Sequence, residues 1–167
     1  MNVVVSDTNI FIDLDEIGLL EAFCELSCDI HTVDFVLAEL AKGILRDKVE
    51  RLVSAHKIHL KVYDGNELMK LAGYYASIKE RCNLSLTDCS VLTYAQDNGF
   101  KLLTGDRKLK KHAEVNGLDV SGVLFVIDAL LEEHILSIEV YKEKLSRLML
   151  TNERLPRREI EIRLHRD

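Results

Sequence analysis

The chain has 167 residues, of which 47% are hydrophobic and 30% charged, and its formal net charge at pH 7 is −6. This length and apolar content indicate a globular chain and exclude a disordered one. The acidic balance argues against a protein that coats nucleic acid with a basic surface. It leaves open an enzyme whose acidic residues bind metal, because bound cations reverse the local electrostatic field.

Strand and helix patterns alternate along the chain. Short β-branched or alternating apolar runs predict strands, and apolar residues three or four positions apart predict helices. In chain order, the predicted elements are strand Val3–Val5, helices Ile10–Phe11 and Glu16–Glu25, strand Ile30–Val33, helices Asp34–Leu45 and Asp47–His56, strand Ile58–Tyr63, helices Asn66–Ile78 and Ser85–Asn98, strand Phe100–Thr104, helix Leu109–Val115, strand Leu118–Val120, helices Val123–His134 and Ile138–Leu150, and a helix that starts at Pro156.

This alternation predicts an α/β fold of three layers, with a central parallel sheet of four or five strands and helices on both faces. In such sheets, ligands bind beyond the carboxyl ends of the strands. Acidic residues that directly follow a strand are therefore the first candidates for a functional site.

Cysteine spacing and apolar runs bear on the compartment of the protein. The chain has four cysteines, Cys24, Cys28, Cys82 and Cys89. Their spacing does not match a zinc ribbon. The apolar runs Val3–Val5 and Val123–Ile127 are too short for a signal peptide or a membrane span. We therefore expect reduced cysteines, a cytoplasmic protein and no membrane partner.

Three aspartates lie where the predicted strands and helices meet. Asp7 follows the first strand and Asp106 follows the fourth, which places both at the same edge of the sheet, although either could simply cap a turn. Asp88 lies in the first turn of its helix, where the helix dipole favours an acid. It also shares a helix face with Val91 and Ala95, so we expect its carboxylate to point toward the sheet, where a charge needs a partner.

Glu39 is the fourth acid of interest. It lies beside an apolar stripe of its predicted helix, but a solvent-exposed surface glutamate explains the same pattern. No lysine or arginine stands within six positions of Asp7 or Asp88 in the sequence, and the nearest one to Glu39 is Lys42. Carboxylates that converge without such partners repel one another unless cations bind. A site of oxygen ligands alone favours Mg²⁺ or Mn²⁺, and these ions can carry phosphodiester hydrolysis.

The four acids lie in sequence blocks whose order and spacing resemble the PIN-domain nucleases, including the VapC-like toxins. The blocks are Ser6–Asp13 (SDTNIFID), Leu37–Leu40 (LAEL), Ser85–Leu92 (SLTDCSVL) and Leu103–Asp106 (LTGD). The resemblance covers roughly residues 1–127, and the segment Asn152–Pro156 resembles a tail of some solitary prokaryotic members. We therefore place a PIN-like nuclease domain at residues 1–136 and a C-terminal helical extension at 137–167.

The resemblance also implies an activity. It makes four acids the catalytic and metal-binding set: Asp7, Glu39, Asp88 and Asp106. It makes Asn9 and Thr104 supporting residues that orient the first carboxylate and a metal-bound water. The family cleaves RNA with Mg²⁺ or Mn²⁺ and often forms homodimers. The implied function is a metal-dependent endoribonuclease that acts on RNA, as the toxin of a type II toxin–antitoxin module with an antitoxin partner, or in housekeeping RNA processing.

Two groups of basic residues could contact RNA. Four of them directly follow Asp106: Arg107, Lys108, Lys110 and Lys111. Beside a metal site they would hold the phosphate backbone, but they could equally form a solvated helix face. The arginines near the C-terminus alternate with glutamates, which is more typical of an exposed, ion-paired helix.

Two other functions fit parts of the pattern. A phosphatase of the haloacid-dehalogenase type also uses an aspartate after its first strand, but it needs a second aspartate two positions later, where this chain has Asn9. A PIN-like module that binds RNA or protein without cleaving it would be expected to have lost at least one acid, and this chain retains all four.

Overall fold

The core of the chain is one sheet of five parallel strands, in a computed structural model that describes residues 2–166. In chain order the strands are β1 (Val3–Ser6), β2 (Asp29–Val33), β3 (Ile58–Lys61), β4 (Lys101–Leu103) and β5 (Val120–Ser121). Their order across the sheet is β3-β2-β1-β4-β5, and every neighbouring pair is parallel. The apolar run of β1 lies at the centre, with Val4 and Val5 buried.

Helices connect the strands and continue to the C-terminal end. Within the described residues they are α1 (Thr8–Glu16), α2 (Leu20–Phe23), α3 (Asp34–Glu39), α4 (Ile44–Ser54), α5 (Gly65–Cys82), α6 (Leu86–Asn98), α7 (Arg107–Val115), α8 (Val123–Glu132), α9 (Ile138–Thr151) and α10 (Arg157–Leu164). None of them is both long enough and apolar enough to cross a membrane.

The strand order locates the site. From β1 the chain moves outward to β2 and β3, then returns past β1 to β4 and β5. Right-handed crossovers in opposite directions place their helices on opposite faces of the sheet, so α1 to α4 cover one face and α5 to α7 the other. The prediction of a three-layer α/β fold is thereby confirmed. The direction reverses between β1 and β4, and a crevice opens at the carboxyl ends of two strands at such a point.

Several helices differ from their predicted bounds, and two of these differences lie beside the acidic residues. The predicted start at Ile10 is late, because α1 begins at Thr8 directly after its cap, Asp7. The predicted helix Asp34–Leu45 is broken: α3 ends at Glu39 and Leu40 is extended, with φ −61° and ψ 112°. The apolar spacing continues through the break, because Leu40 is buried in the core although it has left the helix. Glu39 therefore ends a helix rather than lying within one.

The two last helices pack on the rest of the chain. Helix α9 contacts α1 and α8, and α10 contacts α9. The buried Tyr141 on α9 donates a hydrogen bond to Asp128 Oδ1 of α8 (2.7 Å). On α10, Arg163 donates to both oxygens of the same carboxylate. These contacts fix the segment predicted as a C-terminal extension against the sheet-bearing part of the chain.

Candidate active site

Asp7 lies at the centre of the crevice between β1 and β4. It is the first residue after β1, its backbone is extended, and its Oδ1 caps α1 by accepting a hydrogen bond from the Thr8 amide (2.8 Å). Only 4% of its surface is exposed. The chain thus places a carboxylate in the interior, where an unpaired charge is costly.

Two side chains hold Oδ2 of the Asp7 carboxylate, and a backbone amide positions one of them. Thr104, which follows β4, donates its hydroxyl to Asp7 Oδ2 (2.7 Å), and Asn9 Nδ2 donates to the same oxygen (3.1 Å). The Gly105 amide donates to Asn9 Oδ1 (2.7 Å), which links the two strand ends. A Cβ at Gly105 would lie 3.3 Å from Asn9 Oδ1, so the close approach favours glycine.

The environment of Asp7 disfavours its charged form. Burial raises the pKa of Asp7 to about 6, and the hydrogen bonds from Thr104 and the Thr8 amide oppose that rise. The negative charges of Asp88 and Glu39 raise the pKa further, which places both carboxylates within electrostatic range of Asp7. A positive charge supplied from outside the chain would therefore favour the ionised form.

Asp88 and Asp106 each use one carboxylate oxygen to cap a helix, and the other oxygen of each carboxylate is available for a ligand. Asp88 Oδ2 accepts from the Ser85 amide (2.7 Å) in the capping box of α6. Asp106 Oδ1 accepts from the amides of Lys108 and Leu109 (both 2.8 Å) at the start of α7. Asp88 Oδ1 and Asp106 Oδ2 accept no hydrogen bond from the described residues. Both aspartates are half-buried at the carboxyl edge of the sheet.

The backbone of Asp106 is connected to Asp7 through one hydroxyl. The Asp106 amide donates to Thr104 Oγ1 (3.1 Å), which in turn donates to Asp7 Oδ2 (2.7 Å).

Glu39 is the least constrained of the four acids, because it is exposed at the end of α3 and its carboxylate makes no hydrogen bond or ion pair among the described residues. Of the four acidic side chains, Asp7 is thus held in place most firmly and Glu39 least firmly.

The four acids lack cationic partners, but they do not form a closed coordination shell. None of the ion pairs of the described residues includes Asp7, Glu39, Asp88 or Asp106. Across residues 2–166, no group of three or more histidine, cysteine, aspartate or glutamate side chains is arranged so that it could hold a metal ion. Asp88 and Glu39 act electrostatically on Asp7, but the acids do not converge on one point.

The chemistry of the donor set fits a hard divalent cation. Its unused oxygens belong to carboxylates, which are the ligands that Mg²⁺ and Mn²⁺ prefer. Next to Asp7, the buried hydroxyl of Thr8 has no hydrogen-bond partner within the described residues. A buried hydroxyl without a partner indicates a place for a further polar group.

The four basic residues predicted to bind RNA form the first turns of α7. Arg107, Lys108, Lys110 and Lys111 are all exposed. Arg107 differs from the others, because its Nη2 donates to the backbone oxygen of Arg154 (3.2 Å) in the turn between α9 and α10. This contact brings the C-terminal part of the chain to the edge of the candidate site.

Sequence patterns did not point to two polar elements near the site. Gly105 is one, since its amide positions Asn9. The other is a buried pair in which Asn152 Nδ2 donates to Asp13 Oδ1 (3.0 Å) across 139 positions of the sequence. Asp13 lies in the first block of the motif, but no local pattern connects it to Asn152.

Comparisons with known proteins identify the family. A family model described as a PIN domain matches residues 3–166. The chain therefore belongs to the PIN-domain family, whose members are generally nucleases, and the resemblance found in the sequence is confirmed. No curated protein matches the chain.

Seven chains of solved structures match this chain. One of them is a domain of a functionally unknown protein from Methanocaldococcus jannaschii DSM 2661, with 20% sequence identity and a TM-score of 0.49. The match covers 73% of this chain and 91% of that one.

Proposed function

We propose that this PIN-domain chain is a metal-dependent endoribonuclease that hydrolyses RNA phosphodiester bonds at the carboxyl edge of β1 and β4. One observation carries the proposal. Asp7 is a buried carboxylate whose pKa is raised by burial and by two neighbouring acids, and no lysine or arginine of the described chain pairs with it. A fold keeps such a group when its charge is balanced by a bound cation.

The proposal gives each acid a role. Four carboxylates would hold Mg²⁺ or Mn²⁺, directly or through bound water, since no three of them converge on one point: Asp7, Glu39, Asp88 and Asp106. A bound ion of this kind supplies an activated water and stabilises the leaving oxygen. Asn9 and Thr104 hold the Asp7 carboxylate in one orientation, since both donate to its Oδ2. The capping bonds of Asp88 and Asp106 orient these two side chains and leave one oxygen of each for a ligand.

Basic residues beside the acids would hold the substrate. The α7 residues follow Asp106 directly, so phosphates bound there lie next to the acids. Basic side chains that contact phosphate position a nucleic acid without reading its sequence. They also explain how a chain with a net charge of −6 can hold a polyanion locally.

Cleavage of labelled RNA by the purified protein tests the proposal. We expect cleavage in Mn²⁺ or Mg²⁺, its loss in excess chelator, and its return when the metal is added back. Water attack predicts products with a 5′-phosphate, which end mapping detects. Cleavage that persists in chelator would contradict the metal role, and binding of RNA without cleavage in either metal would favour a non-catalytic module.

The biological role proposed from the family resemblance is that of a toxin with an antitoxin partner, acting as a homodimer. Expression in a bacterial host should then arrest growth, and co-expression of a small protein encoded beside the toxin should restore it. Growth that is unaffected by an active enzyme would favour housekeeping RNA processing. Light scattering on the purified chain tests the dimer.

A further inference from the structure

A groove lies between the start of α7, the end of β5 and the turn that leads into α10. Its volume is about 360 Å³. We call it the α7–α10 groove, and the lining residues that matter here are Thr104, Arg107, Lys110, Phe125, Arg154 and Arg163. Pockets of about 300–1,000 Å³ accommodate small organic ligands, so this one suits a group of nucleotide size.

The groove adjoins the candidate active site. Thr104 lines its inner end and donates to Asp7 Oδ2 (2.7 Å). Arg107 closes its side, because its Nη2 donates to the backbone oxygen of Arg154 (3.2 Å). A nucleotide strand bound in the groove would therefore pass next to the residue that holds Asp7.

The C-terminal turn is built firmly enough to form a wall. Asn152 is buried, its Nδ2 donates to Asp13 Oδ1 (3.0 Å), and its Oδ1 accepts from the Arg154 amide (3.0 Å). On the far side, Ile160 is fully buried and Arg163 is paired with Asp128. The backbone that presents Arg154 is therefore held from both ends, while the Arg154 side chain is exposed.

The charge of the groove is positive. Four lining residues are basic and one, Glu159, is acidic. Glu159 lies 3.6 Å from Arg163, whose guanidinium is also bound to Asp128. Lys110 is 3.9 Å from Glu114, a contact between two half-exposed side chains. Arg107 and Arg154 form no ion pair with the described residues, although Arg154 lies close enough to Asp13 to lower the pKa of that carboxyl.

The groove is also lined by an aromatic ring. Phe125 lines the groove and is 41% exposed. Lys101 Nζ lies 4.6 Å from the centre of its ring. Cationic side chains that follow a backbone, combined with an exposed ring on which a base can stack, are typical of single-strand binding.

We propose that the α7–α10 groove binds single-stranded RNA next to the bond that is cut, with Arg154 and Lys110 on phosphates and Phe125 under a base. The proposal rests on the proposed function for the identity of the substrate. It adds to that function a substrate path made by the C-terminal turn, and a role for Arg154.

Binding measured without cleavage tests this inference. The probe is a fluorescein-labelled single-stranded RNA of about twelve nucleotides, within the usual site size for such surfaces, in excess chelator, with its integrity checked on a gel. We expect Arg154→Ala and Lys110→Ala each to weaken binding about fivefold, and to reduce the slope of log affinity against log salt by about 0.7. Phe125→Leu should weaken binding about fivefold and leave the salt slope unchanged.

The matched control is Arg158→Ala. Arg158 is exposed on α10 and does not line the groove, so this variant removes the same charge from the same part of the chain. It should bind RNA as the wild type does. Lys110→Ala and Arg158→Ala should keep the thermal midpoint of the wild type, since both side chains are exposed. Arg154→Ala removes a cation near the buried Asp13, and Phe125→Leu shortens a partly buried side chain, so binding is compared at a temperature at which every variant is fully folded by circular dichroism.

Three outcomes would overturn the inference: no RNA binding by the wild type, equal losses in Arg154→Ala and Arg158→Ala, or Arg154-dependent binding of a polyglutamate peptide in place of RNA. The cleavage assay tests the proposed function separately from the groove. A chain that binds RNA through Arg154 but does not cleave it in Mn²⁺ contradicts the proposed function and leaves the groove assignment standing.

Discussion

Asp7 and Asp128 are two carboxylates that the fold treats in opposite ways. Asp128 accepts hydrogen bonds from the guanidinium of Arg163 through both oxygens and from the hydroxyl of Tyr141. The side chains of Asp128 and Arg163 are 15% and 18% exposed. Asp7 is more deeply buried, but its partners are a hydroxyl, an amide side chain and a backbone amide, none of which carries a charge.

The difference distinguishes a carboxylate that stabilises the fold from one kept for a ligand. The charge of Asp128 is neutralised by a cation of the same chain, so the pair joins α8 to α10 and its role ends there. Asp7 is oriented equally well, but its charge stays unbalanced, and burial raises its pKa to about 6. Orientation without charge balance is what a metal or substrate site requires, and it lowers stability in the absence of a ligand.

The largest expected effect comes from Asp7→Asn. We expect RNA cleavage to fall at least about 100-fold, since changes to groups that only support metal ligands already cost about 10–100-fold. The free energy of unfolding at pH 7 should stay the same or rise. The neutral amide removes a buried charge whose raised pKa corresponds to a cost on the order of 2–4 kcal/mol, although it also sacrifices one hydrogen bond of the carboxylate.

Urea denaturation in chelator, run beside the cleavage assay, measures both quantities. We expect RNA cleavage to fall while the free energy of unfolding does not. A variant that loses stability as well as cleavage would make Asp7 a structural residue like Asp128, and the contrast between the two carboxylates would disappear.

Asp128→Asn should have the opposite profile. It leaves the Arg163 guanidinium half-buried with only the exposed Glu159 carboxylate as a partner, and we expect the free energy of unfolding to fall by about 2–3 kcal/mol, less than for a fully buried pair. Urea denaturation again provides the measurement. Glu159→Gln is the control, because Glu159 is the exposed partner of the same guanidinium and its loss should change stability by less than about 0.5 kcal/mol. Equal losses in the two variants would contradict the assigned role of Asp128.

The sequence made some of these features predictable and hid others. Asp7 and Asp106 could be placed at one edge of the sheet, because each follows a short apolar run and parallel strands end on the same side. The break after Glu39 could not be foreseen. Leu40 leaves the helix but stays in the core, so the spacing of Val36, Leu40 and Ile44 continues as if the helix did.

Contacts between distant parts of the chain were beyond any local pattern. The pairs Asn152–Asp13 and Arg107–Arg154 join segments 139 and 47 positions apart. Only the packing of α9 on α1 and α8 brings them together. From the sequence, the C-terminal arginines are typical of an exposed, ion-paired helix, and the position of Arg154 in the α7–α10 groove emerges only from the structure.

Asp13 is intermediate between Asp7 and Asp128, and its substitution has the smallest expected effect of the three. It is buried, and its partner Asn152 is neutral. Burial raises the pKa of Asp13 to about 6 from an ordinary 3.8, while the nearby Arg154 guanidinium opposes the rise. The folded state therefore holds the Asp13 proton more tightly than the unfolded state. The stability that this provides is complete below pH 3.8 and is lost as the pH rises through 6.

Asp13→Asn removes this titration and keeps an acceptor for Asn152. We expect the variant to gain about 1–2 kcal/mol over the wild type between pH 4 and pH 7, measured as the difference in free energy of unfolding at each pH, so that the titration of Asp7, common to both proteins, cancels. Arg154→Ala should enlarge the gain, since it removes the cation that partly balances Asp13. A difference that is flat with pH would mean that Arg154 already balances Asp13 in full, which would place Asp13 with Asp128 rather than with Asp7.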